Sequence, residues 1–254
     1  MSSRVDSLVA SGLGLEVRLQ ACLARLRADT DSEALHDLRI ALRRLRSLLR
    51  PLRKLESVAE LDRAAQAVGR LSSPMRDAEV LHAELSKRGQ AQLLAVHDLH
   101  LREKYAQLLV APELARLQQL LGQWPDNLRE QQRAGELARL DRRIRRYLRK
   151  QQRKLCDALA DPAHDRHRLR LLIKRLRYAD EAYPDLSRMH ADLRGKLKAA
   201  QSALGDWHDR WQWLLRLAAD PQLAPMQAAW EVELVKAERQ ADQALEALRR
   251  ALSA

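Results

Sequence analysis

The stretch His36-Asp37-Leu38-Arg39-Ile40-Ala41-Leu42-Arg43-Arg44-Leu45-Arg46 returns later in the chain as His167-Arg168-Leu169-Arg170-Leu171-Leu172-Ile173-Lys174-Arg175-Leu176-Arg177. Both read H-x-L-R-x-x-x-[RK]-R-L-R, in register and without a gap. In a chain this rich in Leu and Arg, matches at those residues come cheaply. A histidine at the same offset does not, because the chain has only 8. Further on, Ser72-Ser73-Pro74-Met75-Arg76-Asp77 lines up with Leu204-Gly205-Asp206-Trp207-His208-Asp209, displaced by one extra residue. Two motifs in the same order at nearly the same offset point to a duplicated helical unit. Gly122 to Asn127, which contains Trp124-Pro125-Asp126, is the expected junction, with a first half at 1–124 and a second at 125–254.

Working outward, apolar residues recur every three or four positions almost throughout, the period of amphipathic helices. The spacing predicts helices at about 4–28, 32–56, 58–71, 74–88, 90–110 and 113–123. In the second half it predicts them at about 132–160, 164–183, 186–203, 206–219 and 223–252. Asp29-Thr30-Asp31-Ser32 and Asp161-Pro162 supply capping chemistry. Ser72-Ser73-Pro74, Tyr183-Pro184-Asp185 and Asp220-Pro221 act as breakers. Gly and Pro are scarce at 8 each, Phe is absent, and 31% of residues are charged. Leu, Ala, Arg, Gln and Glu dominate and favour helix. Val, Ile, Thr and Tyr are too few to fill several strands. The fold class is therefore all-α.

On a helix, His36, Arg39, Arg43, Arg46, Arg50 and Arg53 share one face. Leu38, Leu42, Leu45, Leu49 and Leu52 share another about 100° away. A basic stripe thus runs beside a buried leucine stripe rather than opposite it. Like charges at this spacing repel by a few tenths of a kcal/mol per pair. Only Asp37 and, at the far end, Glu56 relieve them, so an anion is expected to do so. From His36 to Arg53 the rise is roughly 25 Å, enough to follow several phosphates. A solvated face is the alternative. The second copy presents His167, Arg170, Lys174 and Arg177 beside Leu169, Ile173 and Leu176, and ends at Glu181. Tyr178 is expected to pack. The histidines either face a ligand or cap and orient their neighbours; their equivalent placement favours the ligand. Beside several arginines their pKa should fall, and a bound polyanion would reverse that.

The formal net charge of +12 comes mostly from arginine, whose planar fork suits phosphate. It implies an anionic partner: nucleic acid, an acidic membrane surface or a polyphosphorylated molecule. Another basic cluster, Arg139 to Lys154, has its apolar residues opposing the charge. It reads as an outer face that extends the electrostatic footprint. Cys22 and Cys156 lie in no CxxC or Cys/His cluster and are expected to be core residues, with no metal and no cofactor. Without a signal peptide or an apolar run of eighteen residues, a cytoplasmic, non-membrane protein is expected.

At these residues the chain resembles the CHAD family, the conserved histidine α-helical domain. The doubled motif carries the resemblance, with Arg177-Tyr178 and Glu181 similar to the family's R-Y-x-x-E ending. Arg76-Asp77 resembles its R-D step. Lys198-x-x-Gln201-x-x-Leu204-Gly205 with Asp209 resembles its K-x-x-Q-x-x-L-G-x-x-x-D segment. The resemblance spans about 5–252. It implies two helical bundles related by a pseudo-twofold with a basic groove between them. It also implies binding of inorganic polyphosphate, and association with polyphosphate granules. The implied contacts are His36, Arg39, Arg43, Arg46, Arg50, Arg76, His167, Arg170, Lys174, Arg177 and Lys198. Ser72-Ser73 departs from the family's L-G, and His208 stands where the first half has Arg76.

Two other functions compete. His36-Asp37, His97-Asp98, His164-Asp165 and His208-Asp209 are the pairs that HD-type phosphohydrolases use for metals. Metal chemistry needs ligands converging without competing cations, and His36 opens an arginine stripe. No Gly-rich phosphate loop, nucleophile elbow or HExxH is present, so a non-enzyme is expected. Nucleic-acid binding is the stronger rival. Trp207, Trp211 and Trp213 near Arg210 would serve base stacking, although core packing is the preferred reading of those tryptophans.

Overall fold

The structure, a computed structural model, describes residues 4–161, 163 and 165–253. Side chains at 91–93, 95–99 and 253 lie outside the description. Pro162 and His164, and the side chains of His97 and Asp98, are among the expectations that fall there. Among the described residues there is helix and no strand. The elements are α1 (Arg4–Ala28), α2 (Ala34–Leu49), α3 (Glu56–Leu71), α4 (Ser73–Lys87), α5 (Ala91–Leu109), α6 (Pro112–Gly122), α7 (Trp124–Arg133), α8 (Leu140–Leu159), α9 (Arg166–Ala182), α10 (Pro184–Ser187), α11 (Ala191–Arg216) and α12 (Gln227–Ser253).

The chain divides into two compact units, Met1–Ile144 and Arg145–Ala254. The division falls inside α8. Gly122 to Asn127, expected as the junction, is a break between α6 and α7, and both helices belong to the first unit. Trp124 is buried there, against Gly12 of α1. A Cβ on Gly12 would come within 2.5 Å of the indole nitrogen, so only glycine fits that approach.

In the first unit α2 packs on α1 and α3, α3 on α6, and α4 on α5. The leucine stripe predicted for α2 is buried throughout: Leu38, Leu42, Leu45, Leu49 and Leu52. Pro51 turns the last residues, Arg50–Leu52, into a 3-10 turn, because it removes an amide donor the α-helix needs. In the second unit α11 packs against α9 and, over most of its length, against α12. Leu169, Ile173 and Leu176 of α9 meet Leu197, Leu204 and Trp207 of α11 and Ala237, Ala241 and Leu245 of α12 in one core.

Three expected boundaries are corrected. Trp124-Pro125-Asp126 starts a helix rather than a loop, with Pro125 in the first turn, where a missing N–H costs nothing. The helix expected from 132 begins at Leu140. The break expected between 203 and 206 is absent: α11 runs straight through Gly205. Its glycine costs about 1 kcal/mol of helix propensity, which burial of Leu204 and Trp207 on either side outweighs. Capping also differs in detail. Asp31 accepts from the amide of Glu33 at 3.0 Å, and Asp165, not Asp161, caps α9 by accepting from His167 N at 2.9 Å.

Candidate functional site

In the first unit the basic stripe of α2 is half-buried from His36 to Arg50. Arg39 is held from three sides. Its Nη1 donates to the Gly69 carbonyl at 3.0 Å and to Ser72 Oγ at 2.8 Å, and its Nη2 to Ser73 Oγ at 3.1 Å. All three acceptors are neutral. Burial therefore lowers the Arg39 pKa, and Arg43 and Arg76 nearby add to the effect. Arg39 holds α2 to the α3–α4 turn, and Ser72-Ser73 supply the hydroxyls that make this possible. His36 lies close to Arg76 and Arg43; burial first, then these two cations, lower its pKa.

The far end of the stripe is spent differently. Arg46 Nε donates to Asp62 Oδ1 at 2.9 Å and its Nη2 to Gln66 Oε1 at 3.1 Å. Arg53 reaches the other oxygen of the same carboxylate at 3.4 Å. Asp62 is only 3% exposed, so one buried acid neutralises that end. Arg76 pairs with Glu79 at 2.8 Å, and Glu79 also accepts from the Tyr105 hydroxyl. The first unit thus brings His36, Arg39, Arg43 and Arg76 together and commits Arg46 to a structural ion pair. Arg50 occupies the 3-10 turn.

In the second unit His167 stands exposed at the head of α9, with Arg170 and Lys174 half-buried on the same face. The rings of His167 and His208 are 5.6 Å apart. Burial lowers the His208 pKa to about 4, helped by Arg170, His167 and Lys174. Its Nδ1 is buried without a hydrogen-bond partner, an uncommon state for such a group. His208, a position whose role the sequence leaves open, is brought beside His167. Arg177 donates to Gln201 Oε1 at 2.7 Å, pairs with Glu181 and lies 4.6 Å from the Tyr178 ring centroid. Tyr178 is buried. Lys198 is exposed on α11, one turn before Gln201.

Two pairs of positions matched by the sequence motif can be compared side by side. Arg46 and Arg177, at the same motif position, each donate to a glutamine amide oxygen. Met75 and Trp207 are both buried. Of the His-Asp pairs, His36-Asp37 has its carboxylate engaged by Arg25, whose Nη1 donates to Asp37 at 2.7 Å. Among the described residues no group of His, Cys, Asp and Glu could hold a metal ion. Cys22 is buried as expected, and Cys156 is half-buried. Arg145 and most of the cations around it on α8 are exposed. No helix is long and apolar enough to cross a membrane among the described residues.

The profile of the CHAD domain family matches residues 17–218. The crystal structure of the CHAD domain from the plant Ricinus communis is similar, with a TM-score of 0.71 at 23% identity, covering 100% of this chain and 92% of that one. At that identity the likeness is one of fold. Comparison with curated proteins gave no match.

Proposed function

Because this chain belongs to the CHAD domain family, we propose that it binds inorganic polyphosphate through the basic faces of α2 and α9 and does not hydrolyse it. The observation that carries the reading is Arg39, a half-buried guanidinium whose hydrogen-bond acceptors are all neutral oxygens. Burial, Arg43 and Arg76 weigh against its charge, Asp77 and Glu79 offset only part of this, and an anion at the face of α2 relieves the remainder. His167, Arg170, Lys174 and His208 form the corresponding cluster in the second unit. The two units are read as diverged copies of one helical unit. A long polyphosphate held by one meets the other at high effective concentration, since both belong to the same chain. Association with polyphosphate granules follows from the same chemistry.

The test is calorimetric titration with polyphosphates of defined length, alongside an assay for released orthophosphate. Tight, salt-sensitive binding with no release is expected. Release that requires an added divalent metal and disappears in His36→Ala would overturn the non-catalytic reading.

A further inference from the structure

The second unit carries a feature that phosphate alone does not use. Of the five tryptophans, Trp124, Trp207, Trp213 and Trp230 are buried. Trp213 and Trp230 pack against each other with centroids 5.5 Å apart, and Trp207 belongs to the core of α9, α11 and α12. Core packing, the reading preferred for Trp207, Trp211 and Trp213, therefore holds for Trp207 and Trp213. Trp211 differs: it remains 36% exposed. Trp207 lies nearly parallel to it, with centroids 5.9 Å apart and 12° between the planes. The His208 ring is 5.9 Å from Trp211, and His167 continues the series beyond it.

An indole backed by a second indole is a rigid, flat surface. Here it adjoins a polar and basic helix face, with Arg170 and Lys174 acting on His208. His167, Arg170 and Lys174 follow one another on a face of α9 across about 10 Å of helix, room for a short run of phosphates. The His208 ring neighbours both Trp211 and His167, and its Nδ1 is buried without a hydrogen-bond partner. By the repeat, Arg76 and Glu79 of the first unit stand where the second has His208 and Trp211. There the two side chains form an ion pair and offer no ring.

We propose that Trp211, backed by Trp207 and flanked by His208, is a stacking site for a nucleobase whose attached phosphates lie on His167, Arg170 and Lys174. The ligand class is a base carried on phosphate, either a free nucleoside polyphosphate or an unpaired nucleotide of a nucleic acid strand. Stacking tolerates any base and strengthens with ring area, so purines bind better than pyrimidines. This inference rests on the phosphate-binding reading of α9.

The test compares adenosine triphosphate, inorganic tripolyphosphate and a short oligoadenylate by calorimetry with the intact protein and with Trp211→Ala and Trp211→Phe. Adenosine triphosphate should bind about tenfold tighter than tripolyphosphate, the increment one stacked base supplies. Trp211→Ala should remove that surplus and leave tripolyphosphate affinity as it was, while Trp211→Phe retains most of it. A Trp211-dependent surplus for oligoadenylate as well assigns the base to strands; one confined to the triphosphate assigns it to free nucleotides. Equal affinity for adenosine triphosphate and tripolyphosphate in the intact protein would sink the stacking site and leave the phosphate reading standing. Adenosine triphosphate binding with no tripolyphosphate binding at all would do the reverse. Unchanged melting of both variants guards against a folding defect.

Discussion

The first unit ends its basic helix on a buried acid, and the second begins its own on a row of rings. In the first, Asp62 takes up Arg46 and Arg53, while His36, Arg39, Arg43 and Arg76 cluster towards the start of the helix, Arg76 in a pair with Glu79. In the second, the buried acid is Asp180, and it binds Arg194 at 2.8 Å and Ser187, residues outside the motif. The motif arginine there, Arg177, takes a neutral glutamine and an exposed glutamate. The same eleven-residue pattern thus yields an ionic face in one unit and a mixed aromatic and ionic face in the other. Position in a motif fixes which helix face a side chain occupies; the packing partners fix whether its charge remains available.

The largest way to disturb this contrast is to remove Asp62. Asp62→Ala leaves Arg46 half-buried without its carboxylate, and losing one partner of a buried pair costs about 3 kcal/mol. Urea unfolding should show that loss. The same variant releases Arg46 and Arg53, so polyphosphate affinity should fall more steeply with salt than in the parent. A variant as stable as the parent would mean that Asp62 does not anchor the stripe.

Charge reversal comes next. Arg43→Glu and Lys174→Glu should each weaken long-chain polyphosphate by about tenfold or more, the scale of one charge-assisted contact. With tripolyphosphate, too short to profit from linkage between sites, each reversal should instead remove binding at its own unit and lower the stoichiometry. If one reversal abolishes long-chain binding and the other has no effect, the two faces do not act together.

Much of this was legible in the sequence and some was not. The α2 stripes and the buried leucines follow from helical period alone. Arg39 could be placed on the face but not in its cradle, because Gly69, Ser72 and Ser73 are distant in sequence and hydroxyl acceptors leave no periodic signal. Asp62 did leave one: it shares helical spacing with Val58 and Ala65, both buried, and an acid on an apolar face requires a buried cation. Gly205 misled because its propensity is local, whereas the burial of Leu204 and Trp207 is tertiary.

The contrast also has a pH signature. Folded His208 takes its proton only near about 4, against 6.5 for an ordinary imidazole. Between those values the unfolded chain binds more protons, so His208 contributes stability that is complete above pH 6.5 and lost as pH falls towards 4. His36 has the same sign, led by burial and then Arg76. A bound polyanion favours the charged imidazole, so affinity should rise a few-fold as pH drops through this window, with proton uptake visible in calorimetry across buffers. In His208→Phe that rise should shrink. An undiminished rise would remove His208 from the site.

The smallest expected effect separates a face from a surface. A polyanion held by cations releases counterions, so log affinity falls linearly with log salt, with about 0.7 to 0.9 of slope for each phosphate neutralised. Arg43→Ala should make the slope shallower by about that amount. Arg145→Ala should leave it nearly unchanged. Both substitutions remove one charge from a chain of net charge +12, so a long-range field would treat them alike. They differ in setting: Arg43 is half-buried beside the packed leucines of α2, and Arg145 is exposed on α8 among other exposed cations. A contact that orders a phosphate expels its counterions, whereas a distant solvated cation shares a loose ion atmosphere that changes little on binding. Equal slope changes would mean that binding is spread over the basic surface as a whole, and that His36, Arg43 and their counterparts in the second unit form no distinct site.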